Sequence, residues 1–331
     1  MAKKYKVMVM DTVRDMDTFM STLPGLLDNN VDIVRIDPDD EATVLREAPD
    51  CDGVINILSY MGKDLLAKFT KCKIIVRLGI GYDNVDWASA AKLGIMVANV
   101  PDYCQGEVAD HAMALFLALH RRLLLADRNV RKGIWDDTIL APDTPRLIGR
   151  KFGILGYGFI GRAAGARAKA FGMEVIAYDP WVDTATCASQ GIRKIDDLDQ
   201  FLGESDFISL HIPANTENHN FIHLERLKKM KKTCILINTA RGPIINEPDL
   251  YFALKTKIIA AAGLDVQVNE PPKQPSPFAE LDNVILTPHI AFYSIDAHES
   301  QRVKAAEEIT RTLLEGRPKF WVNRENFVPR G

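Results

Sequence analysis

Residues 152–161 read Phe152-Gly153-Ile154-Leu155-Gly156-Tyr157-Gly158-Phe159-Ile160-Gly161. The first four form a short strand-like run, three glycines follow as G-x-G-x-x-G, and residues 159–171 continue with helical patterning. Glycine triplets arise by chance in loops, so the context has to carry the reading. Here a strand precedes, a helix follows, and the next strand ends in Asp179, close to the ~20-residue offset of an acid that binds a ribose. The first glycine makes a tight turn, the second lets backbone approach a pyrophosphate, and the third lets helix pack on strand. The helix N-terminus then presents unpaired N–H groups and a positive dipole end to the phosphates. A dinucleotide is therefore expected against Gly156, Gly158, Phe159, Ile160 and Gly161. A carboxylate at Asp179 accepts from a ribose 2′-hydroxyl and repels a 2′-phosphate, which favours NAD over NADP. Arg162 reads as a residue of the helix's first turn.

Outward from this loop, short β-rich runs alternate with helical patterns. Strands are expected at 7–10, 31–36, 53–58, 74–78 and 95–100, and again at 152–155, 174–178, 207–210, 234–238, 260–264 and 284–287. Amphipathic stretches such as 64–69 and 86–93 lie between them. Such alternation predicts parallel sheets with helices on both faces. After Asn99-Val100-Pro101 the pattern changes to one long apolar helix over residues 107–127, with apolar residues on more than one face. It is expected to be deeply buried, either inside one chain or against a second copy. A charged amphipathic helix is expected from Ser294 to about Glu315.

The 331 residues exceed what one hydrophobic core usually supports, so two domains are expected. Hydrophobic residues at 47%, charged residues at 26% and a net charge of −3 describe an ordinary globular protein with no global field for nucleic acid or an anionic membrane. Lys228, Lys229, Lys231 and Lys232 cluster at the end of an expected helix, where cations suit the dipole. No run approaches the ~20 apolar residues of a membrane span, and the start of the chain does not read as a signal peptide. Five cysteines, an odd number with no C-x-x-C, read as reduced thiols of a cytoplasmic protein. His219 and His223 share a helical i, i+4 spacing but lack a metalloprotease glutamate, so no metal is expected. Trp87, Trp135 and Trp181 read as packing residues.

Three further segments follow expected strands of the second half, where open α/β sheets place ligands. They are Asn238-Thr239-Ala240-Arg241-Gly242-Pro243, Asp265-Val266-Gln267-Val268-Asn269-Glu270-Pro271 and Thr287-Pro288-His289-Ile290-Ala291-Phe292. Together with the glycine loop, Tyr178-Asp179-Pro180 and the stretch from Ile74 through Arg77 to Asp86, they resemble the D-isomer-specific 2-hydroxyacid dehydrogenase family, most nearly its C-terminal-binding-protein group. The likeness runs over essentially the whole chain.

The resemblance implies two doubly wound α/β domains: a Rossmann NAD domain over 101–295, and a discontinuous flavodoxin-like substrate domain from 1–100 and 296–331. Hinges near Asn99 and Ile290 are implied between them. Arg241, Glu270 and His289 fall at the family's catalytic positions, and the chemistry agrees. Reducing a 2-oxo acid requires a carboxylate held, a carbonyl polarised, a hydride delivered and an alkoxide protonated. Arg241 offers a permanently charged planar donor. His289 suits proton donation near neutral pH, and Glu270 beside it favours the imidazolium and orients the ring. Thr239, Ala240, Ile212, Pro213, Asn215 and Asp265 match cofactor-lining positions, Asp265 near the nicotinamide amide. Arg77, Gly79 and Ile80 match a loop that receives the substrate carboxylate, while Tyr60 and Phe292 offer an aromatic wall.

The implied protein is an NAD-dependent reductase of the glyoxylate or hydroxypyruvate kind, a homodimer with a small 2-oxo or 2-hydroxy acid as partner. Phosphoglycerate dehydrogenase is the alternative enzyme. It is weakened by the absence of an extra regulatory domain and by Lys63 being the lone cation near Ser59-Tyr60. The alternative class is an NADH-sensing corepressor-like binding protein, disfavoured by the lack of long terminal extensions. Glu270 with His289 argues against a formate dehydrogenase, whose histidine pairs with glutamine. Two departures from the family stand out: proline at 243, which stiffens the loop behind Arg241, and phenylalanine at 292, where the C-terminal-binding-protein group has tryptophan.

Overall fold

The computed structural model describes residues 5–10, 31–140 and 144–330. Residues 1–4, part of the stretch read against a signal peptide, lie outside them. The chain divides into two compact units, Met1–Tyr103 with Ser294–Gly331, and Cys104–Tyr293.

Among the described residues, the first unit carries five parallel strands: β1 (Tyr5–Met10), β2 (Val31–Ile36), β3 (Gly53–Asn56), β4 (Ile74–Arg77) and β5 (Met96–Ala98). Their order is β2-β1-β3-β4-β5, the flavodoxin-like arrangement. Strand β3 is buried at every position, as expected of a parallel strand covered on both faces. One cover is the helix Ile295–Glu315, which sets Ala305, Ala306, Ile309 and Leu313 against residues of β3 and β4. Ser294 caps its start by accepting the Ala297 N–H at 2.9 Å, and Gly316 ends it at φ 89°.

The second unit carries seven parallel strands: β6 (Lys151–Leu155), β7 (Glu174–Tyr178), β8 (Arg193–Lys194), β9 (Phe207–Leu210), β10 (Ile235–Asn238), β11 (Ala261–Leu264) and β12 (Val284–Leu286). They run β12-β11-β10-β9-β6-β7-β8. The order reverses between β6 and β9, so the ends of these two strands flank the crevice where doubly wound sheets bind ligands. The two all-parallel sheets bear out the expected α/β class.

Three local expectations need correction. The single helix over 107–127 is two, Gln105–His120 and Leu123–Arg131, because Arg122 takes a left-handed φ of 48°. The first is packed within its own unit, with Ala112, Met113, Leu115 and Phe116 in the core. The second has no buried residue. Trp135 and Trp181 are 88% and 89% exposed and are not packing residues. Strand β8 went unpredicted, because two polar edge residues carry no apolar signal. The lysine run is paired locally, Lys228 with Glu225, Lys229 with Asp199 and Lys231 with Asp206.

Candidate active site

The glycine loop explains its own composition. Gly156 sits at φ 97°, and a Cβ there would lie 2.7 Å from the His211 backbone. That close approach also puts Ile212 beside the loop. A Cβ on Gly161 would meet the Gly156 carbonyl at 2.2 Å, whereas one on Gly158 would meet nothing within 4 Å. Gly156 and Gly161 are thus required by protein packing, while Gly158 leaves backbone open to a ligand. The helix Phe159–Ala170 begins there without a side-chain cap, so its N–H groups face outward unpartnered by side chains. Phe159 is exposed and Ile160 half-buried.

Asp179 follows β7. Its Oδ2 accepts the Tyr157 N–H at 2.7 Å and its Oδ1 the Trp181 N–H at 2.8 Å. Each oxygen keeps a second lone pair for a hydroxyl. The acid therefore ties the glycine loop to the next strand and keeps acceptor capacity on both oxygens. Replacing it with alanine is expected to lower the preference for NADH over NADPH roughly ten- to hundredfold, the value of a charge-assisted hydrogen bond. Dissociation constants for both cofactors check this.

The segment after β9 holds half-buried Ile212 and exposed Pro213. Asn215 turns it by accepting the Asn218 N–H at 2.8 Å. After β10, buried Asn238 braces the next turn: its Oδ1 accepts the Ala240 N–H at 3.0 Å and its Nδ2 donates to the Arg241 carbonyl at 2.9 Å. Thr239 is 7% exposed, and its Oγ1 is buried without a hydrogen-bond partner. An orphaned hydroxyl in this turn, with the open backbone at Gly158, fits a nicotinamide dinucleotide lying along these loops.

Arg241 is half-buried, and its Nη1 donates to the Ala240 carbonyl at 2.7 Å. The next residues form a short 3₁₀ turn, Gly242–Ile244, containing Pro243. A Cβ on Gly242 would come within 2.0 Å of the Gln267 backbone, so the Arg241 loop packs directly on the loop carrying Glu270.

Glu270 Oε2 lies 2.6 Å from His289 Nδ1, while Oε1 accepts the Gln267 N–H at 2.7 Å. Burial works against ionising this carboxyl. Its bond to His289, the imidazole charge, the Gln267 N–H and the Arg241 charge outweigh that, and hold it below the usual carboxylate range. A depressed carboxylate contributes its stabilisation above the ordinary carboxylate pKa and loses it as pH falls through the lowered value. The carboxylate's share of the stabilisation is therefore present at neutral pH and is lost in acid.

With Nδ1 engaged by Glu270, Nε2 is the ring nitrogen left for a substrate. His289 has a left-handed φ of 55°. Phe292 stands edge-on to its ring, with centroids 6.1 Å apart. The structure places Asp265 beneath this turn: 1% exposed, it accepts the Ile290 and Ala291 N–H groups at 3.0 and 2.9 Å.

The remaining candidates belong to the first unit. The Arg77–Ile80 loop leaves β4 through Gly79 at φ 142°, where a Cβ would strike the Arg77 guanidinium. Arg77 Nη1 donates to the Leu78 carbonyl at 3.0 Å, and buried Asn99 donates to the Ile80 carbonyl at 2.7 Å. Tyr60, after β3, is 72% exposed, whereas its neighbour Met61 is wholly buried.

The profile of the "D-isomer specific 2-hydroxyacid dehydrogenase, NAD binding domain" matches residues 113–291. A glyoxylate reductase of Korarchaeum cryptofilum is 38% identical over 283 residues, 84% of this chain and 83% of that protein. The chain belongs to the D-isomer-specific 2-hydroxyacid dehydrogenase family. A D-3-phosphoglycerate dehydrogenase of Methanocaldococcus jannaschii is 39% identical over 251 residues, 76% of this chain but 47% of that protein. The chain thus spans about half the length of this relative. Among solved structures, a glyoxylate reductase from Paecilomyes thermophila is 25% identical, covers 98% of this chain and 100% of its own, and superposes with a TM-score of 0.86.

This member of the family also uses residues that sequence reasoning passed over. Asn238 and the Gln267 N–H act as braces. Glu247, whose Oε1 accepts the Val268 N–H at 2.8 Å, is a third. Asn238 belongs to the Arg241 motif, but its side chain's bonds across a turn are invisible to spacing. His219 lies in a turn and His223 in extended backbone before the helix Leu224–Leu227, so the two do not share a helix face. Among the described residues, no group of three or more His, Cys, Asp or Glu is placed to hold a metal ion. No described helix is long and apolar enough to cross a membrane.

Proposed function

We propose that this dehydrogenase interconverts a 2-oxo acid and a D-2-hydroxy acid with NAD, as a reductase of the glyoxylate or hydroxypyruvate kind. The observation that carries the proposal is the Glu270–His289 pair at 2.6 Å, with the loop of Glu270 packed against that of Arg241. The bound cofactor supplies the hydride. Arg241 holds the substrate carboxylate and draws electron density from the carbonyl oxygen. Glu270 fixes the imidazole through Nδ1 and favours its protonated form, and Nε2 delivers the proton to the forming alkoxide. In the oxidative direction, neutral His289 takes that proton back. Arg77, Gly79 and Ile80 are assigned to the substrate carboxylate and Tyr60 with Phe292 to the side-chain wall, on the family resemblance.

The fold supports assigning the unit Cys104–Tyr293 to the cofactor and the other unit to the substrate. The apolar residues left exposed around the helix Leu123–Arg131 support a homodimer. Leu123, Leu124 and Val130 are each more than half exposed, and Trp135 is 88% exposed. Light scattering at the monomer mass would contradict this. Five cysteines without a C-x-x-C support a reducing, cytoplasmic setting.

The testing experiment follows NADH absorbance against glyoxylate, hydroxypyruvate, pyruvate, 2-oxobutyrate, 2-oxoisocaproate, phenylpyruvate and 3-phosphohydroxypyruvate. Turnover of the small acids supports the proposal. Selective turnover of the phosphorylated acid favours the second reading, phosphoglycerate dehydrogenase, which the Methanocaldococcus relative makes specific. Tight NADH binding with no turnover on any of them turns the case toward an NADH-responsive binding protein.

A further inference from the structure

A residue with a Cβ takes the left-handed φ of His289 only when its surroundings hold it there. Here the holding group is Asp265. Its carbonyl accepts the His289 N–H at 2.8 Å, and its carboxylate accepts the next two N–H groups. This buried charge has a further partner, the Thr287 hydroxyl, 2.5 Å from Oδ1. Behind Thr287 stands His111, on the helix Gln105–His120. Its Nε2 lies 2.9 Å from Thr287 Oγ1 and 3.5 Å from Asp265 Oδ1.

A threonine hydroxyl has one proton, and the short contact places it on the carboxylate. Oγ1 then meets His111 as an acceptor, so His111 Nε2 carries a hydrogen. The chain runs from His111 Nε2–H to Thr287 O–H to the Asp265 carboxylate, and ends on the backbone that carries His289.

We propose that His111 is a positioning residue for the reaction, locking the turn that aims His289 through Thr287 and Asp265. The inference rests on the catalytic reading of His289 given above. Losing the donor leaves Thr287 free to rotate off the carboxylate, and the turn relaxes away from its strained conformation. A displacement of this kind lowers the rate of the chemical step more than it lowers binding.

The experiment compares His111→Leu, His111→Gln, Thr287→Val and the double variant His111→Leu/Thr287→Val, with His289→Ala in parallel. It measures kcat, the KM of the best 2-oxo acid and NADH affinity by fluorescence. His111→Leu is expected to lose about ten- to hundredfold in kcat, with KM and NADH affinity changed by about twofold at most. His111→Gln, whose amide N–H reaches the same position, should recover most of the loss. The double variant should be no slower than Thr287→Val alone, because both act through one chain.

An unchanged kcat in His111→Leu overturns the proposal, as does an equal loss in His111→Gln or an additive double variant. If His111→Leu does not fold, His111→Asn, too short to reach Thr287, takes its place against His111→Gln. Full turnover by His289→Ala overturns the catalytic reading itself. An inactive His289→Ala beside an unaffected His111→Leu overturns only the positioning role.

Discussion

His289→Ala is expected to lower kcat by about 10²–10⁴-fold, the usual contribution of a positioned general acid or base, while NADH affinity changes little. The split follows from geometry. The imidazole is held through Nδ1 by Glu270 at 2.6 Å, which leaves Nε2 for the substrate oxygen. The glycine loop and Asp179 bond each other without it. Glu270→Gln should retain the orienting bond but lose the charge, so the fall in reductive activity at alkaline pH should begin at a lower pH. A pH profile of kcat/KM against the parent enzyme checks that sign. An alkaline limb unmoved by Glu270→Gln would remove Glu270 from the proton-transfer step.

Arg241→Lys carries the second large effect. A loss of about 10²–10³-fold in kcat/KM is expected, comparable to removing one donor from an oxyanion site. Charge is conserved in this substitution, so the loss measures geometry. The guanidinium is aimed by its bond to the Ala240 carbonyl and by a turn that Asn238 staples at both ends. An ammonium cannot reproduce two parallel N–H donors to a carboxylate. Steady-state kinetics should show KM raised and kcat lowered together. A change in KM alone would assign Arg241 to binding and leave the carbonyl to another group.

The parts of the molecule that sequence made legible are those governed by local rules. Parallel strands covered on both faces must be continuous apolar runs, and so β7, β9 and β10 stood out. Strand ends were less sharp: the run 53–58 stops being strand at Asn56, and Leu58 is 69% exposed. The break in the long apolar helix was hidden because Arg121 and Arg122 are good helix formers, and only the backbone shows the left-handed turn. At the site, the family resemblance singled out Arg241, Glu270 and His289 as candidates, whereas the groups that hold them were not visible in the sequence. The bonds of the Asp265 carboxylate to the Ile290 and Ala291 N–H groups under the His289 turn carry no signal in the sequence. Its partner His111 lies far away in sequence, on a helix whose apolar pattern announced only packing.

The most direct test of the account uses NADH carrying deuterium at the transferable C4 position, with the best 2-oxo acid from the panel. The expected product is a 2-hydroxy acid of D configuration with deuterium at C2, formed by the parent enzyme and lost in His289→Ala. NADH that binds tightly yet leaves no deuterium in any product would contradict it.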